Sequence, residues 1–167
     1  QVVALRTDQV VALKTHQVAS LTTDQVAAIE TRDIAAMTTA GISALSTDQI
    51  SKGLTTDQVA ALKTAGIVAL TTAGVGSLTT DQVVALRTDQ VVALKTHQVA
   101  ALTTDQVAAI ETRDVAALTT SSIGALSTDQ ISKGLTTDQV AALTTAGAGA
   151  LTTAGVSSLT TDQVVAL

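Results

Sequence analysis

Residues Leu54–Ala61 read L-T-T-D-Q-V-A-A, and the rest of the 167-residue chain is a series of variants on these eight. A large aliphatic residue opens each unit: Leu5, Leu13, Leu21, Ile29, Met37 and Leu45 lie eight apart, and Leu54 follows after nine. The eight-residue count then holds to Leu126, and Leu135 comes nine later. Both long units carry S-T-D-Q-I-S-K-G, in which Gly53 or Gly134 is the extra residue. Strict short periodicity of this kind marks a repeat array, whose units bury surface only against one another.

A second period lies on the first. Gln1–Leu86 aligns with Gln82–Leu167 at an offset of 81, with ten differences in 86 positions. The organisation predicted is one continuous array over 1–167, in two blocks, 1–81 and 82–162, with 163–167 opening a third. The block is expected to mark a full superhelical period or a contact between neighbouring strands of a filament. The chain opens and closes inside a unit, which predicts a longer array.

Numbering the columns from Leu54, the first is always Leu, Ile or Met, and the third is always Thr. The sixth is Val or Ile except at Ala148, and the eighth is Ala or Ser except at Lys52 and Lys133. Restraint in these four columns predicts an inward surface or fixed backbone contacts. The second column (Arg6, Lys14, Glu30, Thr55, Lys63) and the fourth (Asp8, His16, Arg32, Ala40) wander, which predicts solvent.

Two local structures compete. In the helical one the invariant Thr is the N-cap, Asp follows in the first turn, and Ala-Ala-Leu propagates the helix. Where the second residue is Thr or Ser, T-T-D-Q or S-T-D-Q also spells a capping box, and the flanking Leu and Val form a hydrophobic staple. Lys52 followed by Gly53 suits a helix end with a C′ glycine. In the strand reading, Thr and Val columns stack as ladders of a β-solenoid. Units such as Thr71–Leu78, T-T-A-G-V-G-S-L, suit strands better, because glycine weakens helices. Ala is depleted in strands, however, and Gln is an odd corner residue. The fold expected is therefore all-α: a solenoid of very short helices, one per eight-residue repeat, with a β-solenoid as the alternative. A six-residue helix is only ~9 Å long and cannot stand alone, so stacking must hold it.

Composition narrows the function classes. Phe, Tyr, Trp, Cys and Pro are absent, 46% of residues are hydrophobic and 14% are charged. That is too apolar for a disordered chain. The net charge of −5, with no basic cluster, argues against nucleic acid as a partner. No apolar run approaches the ~18 residues of a membrane span. Without Cys there is no disulfide or thiolate chemistry.

Candidate chemistry is sparse. His16 and His97 occupy one column 81 residues apart, where other units carry Asp, and are expected to be exposed first-turn residues rather than metal ligands. The Asp column (Asp8, Asp24, Asp48, Asp57, Asp81) lacks the pattern of calcium loops and is expected to be a solvated capping face. Arg6, Lys14 and Arg32 recur as Arg87, Lys95 and Arg113, interleaved with acids, and suit lateral ion pairs between solenoids. No catalytic, cofactor-binding or metal residue is expected, and neither a cofactor nor a small-molecule substrate.

Leu159–Leu167, L-T-T-D-Q-V-V-A-L, is similar to the first-helix phrase of transcription activator-like effector repeats. The unit here is eight residues with no base-reading loop, so the likeness implies a capped helix and not DNA reading. The whole chain resembles octapeptide T-T-x-Q-[VI]-x-A-L arrays of very large bacterial adhesin-like or haem-utilisation-like proteins. That resemblance implies an extracellular or cell-surface structural role. The expected function is a filament, stalk or spacer segment that self-associates and is no enzyme. The alternative is a binding module using the variable columns.

Overall fold

The computed structural model describes residues 6–167. Leu5, first of the aliphatic series, lies outside them, as does the start of the first block. Among the described residues there are eighteen α-helices and two π-helical turns, each four to six residues long, and no strand. The β-solenoid alternative is therefore set aside, and the chain is an all-α solenoid with one helix per repeat.

The helix at Thr56–Ala61 shows how eight residues make a unit. Thr55 is extended (φ −78°, ψ 162°) and its hydroxyl accepts the Gln58 N–H at 3.2 Å. Gln58 Oε1 accepts the Thr55 N–H in return, at 2.9 Å. This is a complete capping box. The Val59 N–H then reaches the Thr55 carbonyl at 3.0 Å, and the Leu62 N–H closes on Val59 at 3.2 Å. The N-cap is thus the second-column residue, and the invariant Thr expected there is instead the first helical residue. Only the residue three before Gln can exchange both bonds with it.

Each long unit absorbs its extra residue in a wider last turn. Gln49–Gly53 and Gln130–Gly134 are π-helical. The Leu54 N–H returns to the Gln49 carbonyl at 2.9 Å, five residues back rather than three, so Leu54 keeps its buried place. Gly53 is not the left-handed C′ glycine expected, since no described residue has positive φ. Its need is space: a Cβ there would lie 3.1 Å from Val26 Cβ and 3.2 Å from the Thr23 carbonyl oxygen.

The main helix contacts join each helix to the third one along. Thr31–Ala36 packs on Thr56–Ala61, which packs on Thr80–Val84, which packs on Thr104–Ala109. Three helices therefore make one storey of the solenoid. The Thr15–Ala19 helix bearing His16 belongs to the stack of Thr39–Ser43 and Thr64–Ala69, and the Thr96–Val99 helix bearing His97 to that of Thr72–Gly76.

The core consists of the first and sixth columns. Val59, Leu62, Ile67 and Val91 are each at most 1% exposed. The third column, expected inside, is exposed or half-buried in every described unit, and the eighth is half-buried or exposed. The fifth column takes the place assigned to them: Gln58, Gln90 and Gln98 are buried. The glycine-bearing units are helices too. Gly74 stands where others carry Gln, and a Cβ there would lie 2.8 Å from Ile50 Cδ1 of the helix one storey below. Packing from that storey overrides the weak helix propensity of glycine.

Candidate functional site

The densest polar geometry lies at the corners between helices, and the glutamine column builds it. A helix of six residues leaves nearly all its terminal N–H and C=O groups without intrahelical partners. Buried unpaired, each costs about 1–3 kcal/mol. Gln58 serves both kinds. Its Oε1 takes the N–H of its own N-cap, and its Nε2 donates to the carbonyls of Val26 at 3.0 Å and Ile29 at 2.6 Å. Those carbonyls end one helix and begin the next, one storey down. Gln90 does the same with Arg87, Val59 and Leu62, and Gln106 with Thr103, Val75 and Leu78. Gln49, Gln82, Gln98, Gln130, Gln139 and Gln163 repeat the pattern. No buried side-chain nitrogen or oxygen among the described residues lacks a partner.

Two units place Asp in this column. Asp114, 1% exposed, accepts the Thr88 hydroxyl at 2.6 Å, and Arg113 approaches it at 3.5 Å. Asp33 pairs likewise with Thr7 and, at 3.4 Å, with Arg32. These are cross-storey ties of shorter reach.

The sequence-derived candidates lie elsewhere and apart. His16 and His97 are exposed, as the column pattern predicts. Asp8, Asp24, Asp48, Asp57 and Asp81 are all exposed. Among the described residues, no group of three or more His, Cys, Asp and Glu could hold a metal ion. The cationic cluster is taken up locally: Arg6 pairs with Asp8 at 3.1 Å, Arg87 with Asp89 at 3.0 Å, Arg32 with Glu30 at 2.9 Å and Arg113 with Glu111 at 2.6 Å. Hydrogen bonds from Arg6 and Arg87 hold the Asp8 and Asp89 carboxyls below the usual carboxylate range. Arg87 also donates to the carbonyls of Ala60 and Leu62 one storey down. Lys14 and Lys95 are exposed.

The sequence shows Gln as half of a capping box and hides its second bond set. The partners of Nε2 lie 28 to 32 residues away, so no local pattern reveals them. The one signal is a column that takes only Gln, Asp, Gly or Ser and never a Lys or Arg, whereas the second column drifts among Thr, Ser, Glu, Lys and Arg.

The ALTTAQ repeat family model matches residues 26–64, 56–88, 84–110 and 107–145. No curated protein matches this sequence.

Proposed function

The chain belongs to the ALTTAQ repeat family, and we propose that it is a structural element: a stalk, spacer or filament segment that self-associates and catalyses no reaction. The observation that carries this reading is the use of the buried polar side chains. Nine glutamines are spent on tying one storey to the next, which propagates length and leaves none poised for chemistry. The resemblance to adhesin-like arrays supports a bacterial cell-surface or extracellular setting. The acidic balance, −5 overall, gives nucleic-acid backbones no basic face to bind. No described helix is long and apolar enough to cross a membrane.

Twenty helices stacked by threes make between six and seven storeys. At about 8–10 Å per helix layer the rod is roughly 50–70 Å long. Small-angle scattering tests this. A constant narrow cross-section over that length is expected, and a compact particle would overturn the reading. The second reading, a binding module, draws on the exposed second column, where Arg6, Glu30, Lys63 and Thr144 alternate in chemistry. It predicts a discrete ligand captured by the intact chain and lost on replacing Arg6, Glu30 and Lys63 with Thr.

A further inference from the structure

Thr64–Ala69, Thr88–Ala93, Thr112–Ala117 and Thr137–Ala141 are successive helices of one stack, with Thr39–Ser43 below them and Thr161–Ala166 above. Their outer side is a lateral surface of the solenoid. The fourth and seventh columns lie three residues apart and share the outer face of each helix, and the second column stands at its entrance. This face carries a checkerboard of charge. Arg87 and Asp89 open one helix and pair at 3.0 Å, and Glu111 and Arg113 open the next and pair at 2.6 Å. The order reverses between them, cation before anion on the lower storey and anion before cation on the upper. All four side chains are 40% to 68% exposed.

Such a pattern is its own complement. Consider a two-fold axis that lies in the face, runs along the helices and passes between these two storeys. It keeps each column over itself and exchanges the storeys, so Arg87 faces Glu111 of a second copy and Asp89 faces its Arg113. The seventh column obeys the same operation. Val92 exchanges with Ala116 and Val68 with Ala141, so a larger side chain meets a smaller one each time. Further out, exposed Lys63 meets the storey that carries exposed Asp138. A two-fold axis along the rod would instead set Lys63 against Ala65 and Asp138 against Thr136, with no gain.

We propose that this lateral face docks on the same face of a second copy, antiparallel, across that two-fold axis. The contact is isologous. Its charges set the partner and the direction more than the affinity. Four layers of about 8–10 Å, each a helix ~9 Å long, bury less than the ~1,200 Å² of stable interfaces. The contact is accordingly weak, and it depends on concentration and on ionic strength. The checkerboard also recurs on another stack, where Arg6 pairs with Asp8 at 3.1 Å and Arg32 with Glu30 at 2.9 Å on successive storeys. Val11 and Ala35 hold the seventh column there. Ten units per block, taken three to a storey, advance the pattern by one face in each block. One chain therefore offers two such surfaces in different directions, and lateral association continues beyond a pair.

This inference rests on the self-associating structural reading above and names its surface. The chain has no Cys, so single introduced cysteines report the contact. Val92→Cys and Ala116→Cys chains, mixed at high concentration and mildly oxidised, are expected to form a mixed disulfide. Either chain alone is expected to stay uncross-linked, because like positions stand a storey apart across the axis. Adding Arg87→Glu to the first chain sets it against Glu111 of the second and is expected to lower the mixed product about fivefold. Adding Glu111→Arg to the second chain then restores it. All these positions lie on the surface, so far-UV circular dichroism is expected to stay unchanged. No mixed product, cross-linking of Val92→Cys chains among themselves, or a charge reversal without effect would each overturn the proposal. Rod-like scattering without the mixed product leaves the structural reading standing, whereas a compact particle removes both.

Discussion

Arg6–Leu13 and Arg87–Leu94 are the same eight residues, R-T-D-Q-V-V-A-L, in two surroundings. In the second, Gln90 is fully buried and ties Arg87, Val59 and Leu62 together, and Arg87 reaches down to the carbonyls of Ala60 and Leu62. In the first, Gln9 is exposed, the Arg6 guanidinium bonds to Asp8 alone among the described residues, and Val11 is 37% exposed. Both octads form a helix with the same backbone cap. The octad therefore specifies its own helix, but the stabilising contacts live between storeys. In the language of repeat proteins, the interface term dominates the intrinsic one.

The largest expected effect comes from breaking that difference at the amide. Gln90→Leu leaves the N–H of Arg87 and the carbonyls of Val59 and Leu62 without their side-chain partner, and should cost about 2–4 kcal/mol in urea unfolding. Gln9→Leu, in the identical octad, should cost under about 1 kcal/mol. Equal costs would erase the distinction between the two surroundings.

Next comes the long unit. Gly53→Ala pushes a methyl against Val26 Cβ and the Thr23 carbonyl, atoms that cannot rotate away. A loss of about 1–3 kcal/mol is expected. Gly74→Ala meets the end of a flexible side chain, Ile50 Cδ1, so the loss should be about 1 kcal/mol, and it should vanish in an Ile50→Val background. A Cβ added at Gly149 would meet nothing within 4 Å, so Gly149→Ala should stabilise by about 0.5–1 kcal/mol. Smallest is the cap. Lys63 offers its helix no side-chain acceptor, while Thr144 at the equivalent place accepts the Gly147 N–H at 3.0 Å. Lys63→Thr should therefore add about 0.5–1 kcal/mol, read as a raised melting temperature.

The period, the helix and the two core columns are legible in the sequence because each is a local or strictly periodic signal. Leu54 and Val59 repeat every eight residues, and T-x-x-Q is a box within four. What stays illegible depends on the storey below. Gly74 reads as a helix breaker until Ile50 is seen to fill its space. Gly53 reads as a left-handed cap until Val26 and Thr23 are seen against it. The constancy of the third-column Thr suggests an inward face, yet Thr56 and Thr137 are exposed, and nothing in the structure explains their invariance. The candidate site is half legible: the sequence places Gln58 in its capping box, but its bonds to Val26 and Ile29 follow only from stacking by threes.

The central claim is that the glutamine column bonds one storey to the next. Hydrogen exchange of the side-chain carboxamide protons, followed by NMR, reads this directly. The nine buried glutamines should be protected while Gln9, Gln17 and Gln25 exchange as free amides, measured on monomer at low concentration. Equal, rapid exchange at all twelve positions would contradict it.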